Sequence, residues 1–128
     1  MKRILVVDDD RMLADTLREM ILACVHGATE VEVATSGARA AAVLDSGAGF
    51  DLVICDLVMP GIGGIELYRR LEQSGSPLAR RLIFVTGGAF TESAAAFVAS
   101  ARIPCLHKPF DLAQLRKMLS AALDAREP

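Results

Sequence analysis

The stretch that decides the fold is residues 51–64, DLVICDLVMPGIGG. It begins with the apolar run 52–55, which is short and partly β-branched, as is typical of a strand buried on both faces of a parallel sheet. The run delivers a carboxylate, Asp56, before residues 59–61, MPG, break the chain into a loop. An acid at the end of a buried strand needs compensation, and open parallel sheets bind ligands at that end. Asp56 is therefore a candidate functional residue, although an aspartate here can simply cap the loop.

Composition sets the class of protein. The 128 residues are 52% hydrophobic, which is enough for one domain with a sizeable core. The net charge of −2 and the lack of a long basic run argue against nucleic-acid binding. No segment approaches the ~20 apolar residues of a membrane span, and the N-terminus lacks a signal-peptide cleavage site. We expect a cytoplasmic domain whose cysteines, Cys24, Cys55 and Cys105, are small core residues in a reducing compartment.

Four other candidate strands alternate with segments of helical periodicity. Residues 4–7, 82–85 and 103–106 are short and mostly apolar, whereas residues 31–35 alternate β-branched residues with charged or small ones. Ser36 and Thr91 are predicted helix N-caps, and Asp111 with Gln114 resembles a capping box. The last helix is predicted to pack on the core through Leu112, Leu115, Leu119 and Ala122.

Five strands that alternate with five helices predict an α/β fold in residues 1–128. The expected architecture is a single doubly wound (βα)5 domain of flavodoxin-like type, because right-handed crossovers leave few topologies. Its common solution is a parallel sheet in the order 2-1-3-4-5. That order brings the ends of four strands to one rim. The residues at those ends are Asp8, Asp9, Asp56, Thr86 and Lys108.

These residue types predict a phosphoryl-transfer site. Crowded carboxylates repel each other, and a hard divalent cation such as Mg²⁺ relieves the repulsion while binding phosphate oxygens. Lys108 offers a positive charge to a phosphoryl oxygen, Thr86 offers a hydroxyl, and Gly87 offers a backbone N–H group. An aspartate can itself accept the phosphoryl group as an acyl phosphate. Each signal alone has an ordinary structural explanation, whereas their joint occurrence at successive strand ends is far more specific.

Four motifs, ILVVDDD, VICDLVMPGIGGIEL, FVTGG and LHKPFDL, resemble the receiver domain of two-component response regulators over nearly the whole chain. The resemblance implies that Asp56 is the phosphoacceptor. It further implies that Asp9, Asp56 and the backbone carbonyl of Val58 bind magnesium directly, while Asp8 acts through water. Thr86 and Lys108 would contact the phosphoryl group.

The resemblance also implies partners and role. The phosphoryl donor would be a histidine kinase or a histidine phosphotransfer domain. The receiver would catalyse its own phosphorylation and slow dephosphorylation, but would act mainly as a phosphorelay signalling switch. The segments TGGAFTE and KPFDLAQL look most like receivers at the C-terminus of hybrid histidine kinases. No effector domain follows the last predicted helix, so we expect a single-domain regulator or a piece of a longer protein; a homodimer is left open.

Three positions depart from the family pattern. The aromatic switch residue, two or three places before the site lysine, is replaced by Cys105. Val58 and Gly88, at positions that tune the lifetime of the phosphoryl group in the family, have no polar side chain. We therefore expect a muted response at the fifth strand, with the main change in the loop 86–91, where Phe90 can repack.

Two alternatives belong to other classes. The acids Asp8 and Asp10 form a D-x-D motif similar to that of haloacid-dehalogenase-type phosphatases, but Met12 stands where that family usually has Thr or Val, and no cap domain fits in the chain. The other alternative is a receiver-like interaction module that never binds phosphate. The complete set of acids, threonine and lysine argues against it.

Overall fold

The computed structural model describes residues 1–88 and 91–124. Within these ranges, five strands alternate with five α-helices. The strands are β1 (Lys2–Val7), β2 (Thr29–Ala34), β3 (Leu52–Asp56), β4 (Leu82–Thr86) and β5 (Cys105–His107). The helices are α1 (Arg11–Cys24), α2 (Gly37–Asp45), α3 (Gly64–Gln73), α4 (Glu92–Ala101) and α5 (Leu112–Asp124), and a 3-10 helix (Pro77–Arg80) precedes β4. None of the helices in this part of the chain is both long and apolar enough to cross a membrane.

The sheet has the order β2-β1-β3-β4-β5, and the pairs are parallel, as the alternation of elements predicts. Asp56, the last residue of β3, pairs with Val85 of β4, and Thr86, the last residue of β4, pairs with His107 of β5. The carboxyl ends of these strands therefore meet at one rim. The predicted fold class and strand order are confirmed.

The central strands β3 and β4 are apolar up to their last residues because both faces of the sheet are covered. Ile4 and Val6 face a core cluster with residues of α1 and α5, whereas Leu5 and Val7 face the cluster that includes residues of α2, α3 and α4. Successive side chains of a strand point to opposite faces, so a strand between two cores shows no polar alternation. All three cysteines are free thiols; Cys24 and Cys55 are buried, and Cys105 is partly buried.

The predicted caps are confirmed. The Ser36 hydroxyl accepts a hydrogen bond from the Arg39 amide, and the Thr91 hydroxyl accepts one from the Ala94 amide, both at 3.1 Å. At α5, the Asp111 amide donates to the Gln114 side chain at 2.9 Å. The Gln114 amide donates to the Asp111 carboxylate at 2.8 Å, which completes the capping box.

Two expectations about the last elements are wrong. The fifth strand was expected over 103–106, but it covers Cys105–His107. Leu112 is 42% exposed, and the buried stripe of α5 runs through Leu115, Leu119 and Leu123. A helical side chain leans toward the turn that precedes it. Leu112 is the first residue of α5 and has no such turn of helix to cover.

Candidate functional site

The three consecutive acids after β1 have different roles. Asp8 is 4% exposed, and its carboxylate accepts a hydrogen bond from the Asp10 amide at 2.9 Å. The Asp10 carboxylate accepts from the amides of Met12 and Leu13 at 3.0 and 3.2 Å, so Asp10 is the N-cap of α1. The sequence analysis did not assign this cap, although an aspartate just before a helical repeat is a recognised signal for one. Asp8 and Asp9 therefore remain as the acids for the site.

Asp56 is held at the end of β3 by its own loop. Its carboxylate oxygen Oδ1 accepts a hydrogen bond from the Val58 amide at 3.3 Å. The next residue, Leu57, donates to the Val85 carbonyl at 2.9 Å and accepts from the Gly64 amide at 3.1 Å. The Asp56 side chain is 14% exposed. The carboxylate is thus fixed at the rim and still accessible from solvent.

The three predicted acids converge. Oxygen atoms of Asp8, Asp9 and Asp56 all lie within 4.8 Å of one another, which makes this trio a candidate cation site among the described residues. The Lys108 ammonium is 3.6 Å from Asp8 Oδ2 and 3.9 Å from Asp56 Oδ2. One positive charge against three carboxylates leaves the rim negative.

The electrostatics of Asp56 reflect this imbalance. Burial raises the pKa of Asp56 above the ordinary aspartate value, and the charges of Asp8 and Asp9 raise it further. The Lys108 ammonium and the Val58 amide act in the opposite direction, but the net pKa stays raised. A cation bound between the acids would favour the ionised carboxylate that this environment disfavours.

The donor set fits a small divalent cation. Mg²⁺ binds oxygen ligands at about 2.0–2.1 Å, so oxygens on the same ion lie within roughly 4 Å of each other. The oxygens of the three acids lie within 4.8 Å of one another, which is close to that spacing. Mg²⁺ also keeps several waters and binds one or two carboxylates. The rim offers such carboxylates, and its exposed side leaves room for the waters.

Lys108 and Thr86 are positioned by the pairing of β4 with β5. The Lys108 amide donates to the Thr86 carbonyl at 2.8 Å. The Thr86 side chain is 4% exposed, and its hydroxyl donates to the Gly88 carbonyl at 3.4 Å, a long and therefore weak hydrogen bond. A Cβ atom at Gly87 would lie 3.0 Å from Cδ of Lys108, so glycine there leaves room for the lysine stem.

The residues that depart from the family pattern lie around this rim. Val58 is 60% exposed, and Gly88 is exposed. Cys105 is partly buried on β5, opposite Phe84, and burial raises the pKa of its thiol. Phe90, which was expected to repack on activation, lies outside the described residues.

Two glycines near Asp56 were not singled out by the sequence analysis. A Cβ atom at Gly64 would lie 2.8 Å from the Asp56 carbonyl oxygen and 2.9 Å from Phe84 Cε1. A Cβ atom at Gly37 would collide with Ile62 of the loop that follows β3. Both glycines allow the backbone to pass close to that loop. The glycine-rich end of the MPGIGG segment is the signal that could have indicated Gly64.

A doubly wound α/β fold with an acidic rim and a facing lysine defines a class of phosphoryl-accepting signalling domains. Residues 4–120 match the model of the response regulator receiver domain. The chain therefore belongs to the response regulator receiver family, as the four motifs imply, and is a phosphorelay receiver of two-component signalling. The phosphatase and the phosphate-independent module are not favoured.

Characterised relatives and solved structures agree with this assignment. The transcriptional regulatory protein FixJ of Bradyrhizobium diazoefficiens is 31% identical over 98% of this chain and 58% of its own length. The response regulator MprA of Mycolicibacterium vanbaalenii is 33% identical over 98% of this chain and 52% of its own length. A CheY-like receiver domain protein from Methanospirillum hungatei superposes with a TM-score of 0.82 at 27% identity, covering 99% of this chain and 97% of that one. This chain thus spans a little more than half the length of the two regulators.

Proposed function

We propose that Asp56 accepts a phosphoryl group from a phosphohistidine and that the modified receiver then changes conformation. The observation that supports this assignment is the position of the Asp56 carboxylate. It lies at the rim, within 4.8 Å of the oxygens of Asp8 and Asp9 and 3.9 Å from the Lys108 ammonium. A nucleophilic carboxylate beside a cation-binding pair and a fixed ammonium is suited to phosphoryl transfer, in which positioning and charge neutralisation supply most of the catalysis.

In the proposed reaction, an Asp56 oxygen forms a bond to phosphorus while the phosphorus–nitrogen bond of the donor breaks. The leaving imidazole retains the electron pair and takes up a proton. Lys108 holds a phosphoryl oxygen through its ammonium, and the Gly87 amide donates to another. The Thr86 hydroxyl exchanges its weak bond to Gly88 for a phosphoryl oxygen. Each of these groups acts more strongly on the charge of the transition state than on the free donor.

We propose that Mg²⁺ is the cofactor. Asp9, Asp56 and the Val58 carbonyl would hold it directly, and Asp8 would act through water. When bound, the ion neutralises the phosphoryl oxygens and the mutual repulsion of the acids. The Val58 amide already bonds Asp56, so the backbone of this residue is close to the carboxylate that it would assist.

An apolar surface beside the rim suggests how the phosphoryl donor docks. Met12 is 77% exposed and Leu13 is 44% exposed on the first turn of α1. A groove lined by Leu13, Met20 and Phe110 continues from there to Lys108 and Asp8. We propose that the histidine-bearing helix of a kinase or phosphotransfer domain lies against this surface, because an apolar helix face placed there brings its histidine to Asp56.

The proposal extends to the organisation of the protein. Residues 1–128 would form one receiver unit that works in the cytoplasm, where the donor kinases act. Attachment to a hybrid histidine kinase and the formation of a homodimer stay predictions. The sequence of the complete parent reading frame tests the first, and sedimentation of the protein with and without phosphorylation tests the second.

Intact-protein mass spectrometry after incubation with acetyl phosphate and Mg²⁺ tests the proposed function. We expect one added phosphoryl group on the wild type and none on Asp56→Asn or in the presence of a chelator. Equal labelling of wild type and Asp56→Asn would remove Asp56 as the acceptor. Rapid turnover of generic phosphomonoesters would instead favour the phosphatase, and failure to bind Mg²⁺ and beryllofluoride would favour the interaction module.

A further inference from the structure

Helix α2 approaches the loop after Asp56 closely at a buried glycine, Gly37. Gly37 is the first residue of α2 and is buried. A Cβ atom there would lie 2.7 Å from the Cβ and 2.8 Å from the carbonyl carbon of Ile62, and closer still to the Ile62 carbonyl oxygen. Real Cβ atoms essentially never come within 3.0 Å of such neighbours. Gly37 is not among the glycines with positive φ, so this position needs glycine for space and not for backbone conformation.

The loop that Gly37 contacts is the one that carries Val58. It runs from Leu57 to Gly63, between β3 and α3, and its Val58 amide bonds Asp56 at 3.3 Å. On the α3 side the loop is fixed, because Gly64 packs against the Asp56 carbonyl and donates to Leu57 at 3.1 Å. In its middle, Met59 is buried in the core. The Ile62 backbone rests on the start of α2, which gives the loop a further support.

We propose that Gly37 is a positioning residue for the phosphorylation site. By lacking a side chain, it lets the start of α2 support the Ile62 backbone and thereby sets the place of the Val58 backbone beside Asp56. This inference rests on the proposed function, because it concerns the loop that would supply a magnesium ligand. Helix α2 would thus affect the acidic rim indirectly, by setting the position of the Val58 backbone.

We expect a displacement at Ile62 to move toward Val58. At the opposite end of the loop, Gly64 packs so closely on Asp56 and Phe84 that an added Cβ atom would overlap both. Between Met59 and Ile62 the chain contains Gly61, with φ of +73°, which can transmit a shift by a change in backbone angle. Mg²⁺ demands near-ideal octahedral geometry. Sites of this kind tolerate errors of only about 0.5 Å.

The direct test is magnesium binding by calorimetry to the wild type, Gly37→Ala and Gly49→Ala. Gly49 is the matched control, because it has no positive φ and a Cβ atom there meets nothing within 4 Å. We expect Gly37→Ala to lower the affinity about 10- to 100-fold, the range seen when a supporting contact of a metal ligand is lost. We expect Gly49→Ala to bind as the wild type does.

A phosphorylation series separates positioning from general damage to the fold. With acetyl phosphate, Gly37→Ala should need about 10-fold or more Mg²⁺ for half-maximal rate, yet recover most of the wild-type rate at saturating Mg²⁺. Thermal unfolding without metal should show a folded protein with a lower unfolding temperature, because the added methyl group overpacks the contact with Ile62. A variant that folds, binds Mg²⁺ normally and labels normally would overturn the inference.

A second variant covers the case in which Gly37→Ala does not fold. Ile62→Gly removes the side chain that packs beside α2 and loosens the loop while Gly37 is kept. The inference expects a lower magnesium affinity for this variant as well, and wild-type affinity would contradict it. If the wild type itself neither binds Mg²⁺ nor labels at Asp56, the proposed function fails. If the wild type does both and the two variants match it, this inference alone fails.

Discussion

Three adjacent aspartates show how the same side chain takes different roles through its backbone position. Asp8 is buried and accepts a hydrogen bond from a neighbouring amide, while Asp9 is exposed. Asp10 caps α1 and so satisfies amide groups that the helix leaves free. Asp9 is therefore the acid whose removal disturbs the fold least. Its carboxylate nevertheless lies within 4.8 Å of those of Asp8 and Asp56.

Asp9→Ala is expected to lose magnesium binding while the protein stays folded. Without metal, the variant should unfold at the same temperature as the wild type or a higher one, because a like-charge repulsion is gone. With Mg²⁺, the wild type should gain stability and the variant should not. Thermal unfolding in chelator and in Mg²⁺ measures both effects. Asp45→Ala, which removes an exposed acid at the end of α2, is the control; an equal gain in Mg²⁺ for Asp9→Ala would exclude Asp9 from the site.

At the scale of elements, α4 ends in an unusual way. Its C-cap residue, Arg102, has φ of 57° and ψ of 40°, the left-handed conformation in which glycine is usual. The Arg102 amide still closes the helix by donating to the carbonyls of Val98 and Ala99. A side chain in this conformation costs about 1–2 kcal/mol. The cap is therefore correct in its hydrogen bonds and strained in its backbone.

Arg102→Gly is expected to raise the free energy of unfolding by about 0.5–1 kcal/mol, since relief of strain exceeds the extra entropy of glycine in the unfolded chain. Urea denaturation measures the change. The matched control is Arg116→Gly, an exposed arginine in ordinary helical conformation within α5, which should lose about 1 kcal/mol. A loss of stability in both variants would contradict the strain assigned to Arg102.

We expect the switch elements to be β4, β5 and the loop that follows Thr86. In turning to a phosphoryl oxygen, the Thr86 hydroxyl would give up only a 3.4 Å hydrogen bond, so we expect the movement to cost little. Cys105 is a small, partly buried residue on β5 and is too small to repeat the movement of an aromatic side chain. A ligand shifts a conformational equilibrium only through its differential affinity for the two states. We therefore expect weak coupling between Thr86 and the surface around β5.

Amide chemical shifts with beryllofluoride and Mg²⁺, which imitate the phosphorylated state, test this coupling. The largest changes should fall at Asp56, Thr86, Gly87 and Gly88, with small changes at Cys105 and along α5. Cys105→Tyr should restore larger changes on β5 if the missing aromatic residue is the cause. Changes at Cys105 and α5 in the wild type as large as those at Gly87 and Gly88 would show that the coupling is ordinary.

At the scale of the whole molecule, the topology and the residues of the acidic rim could both be predicted from the sequence. Strands buried on both faces and separated by helices admit few arrangements, and the strand order then decides which ends meet. Asp8, Asp56 and Lys108 could be predicted to approach each other for this reason alone, and their carboxylate and ammonium groups do so. Asp8 and Asp56 directly follow an apolar run, and Lys108 follows one after His107.

Contacts that depend on side-chain size or local backbone could not be predicted in the same way. The approach of Gly37 to Ile62 joins residues that are far apart in sequence, and no periodic pattern records it. Arg102 has a left-handed backbone conformation, and the sequence has no glycine at this position to indicate it. An aspartate before α1 could be predicted as a cap, but three consecutive aspartates do not show that Asp10 is the one that takes this role. These features emerge from packing and not from pattern.

Among the acids of the rim, we propose that Asp56 is the one that forms the acyl phosphate. Borohydride reduction of the protein after acetyl phosphate and Mg²⁺ treatment converts a phosphorylated aspartate to homoserine, which peptide mass spectrometry can locate. The predicted result is homoserine at position 56 and at no other aspartate. Homoserine at position 8, 9 or 10, with residue 56 unchanged, would contradict the account.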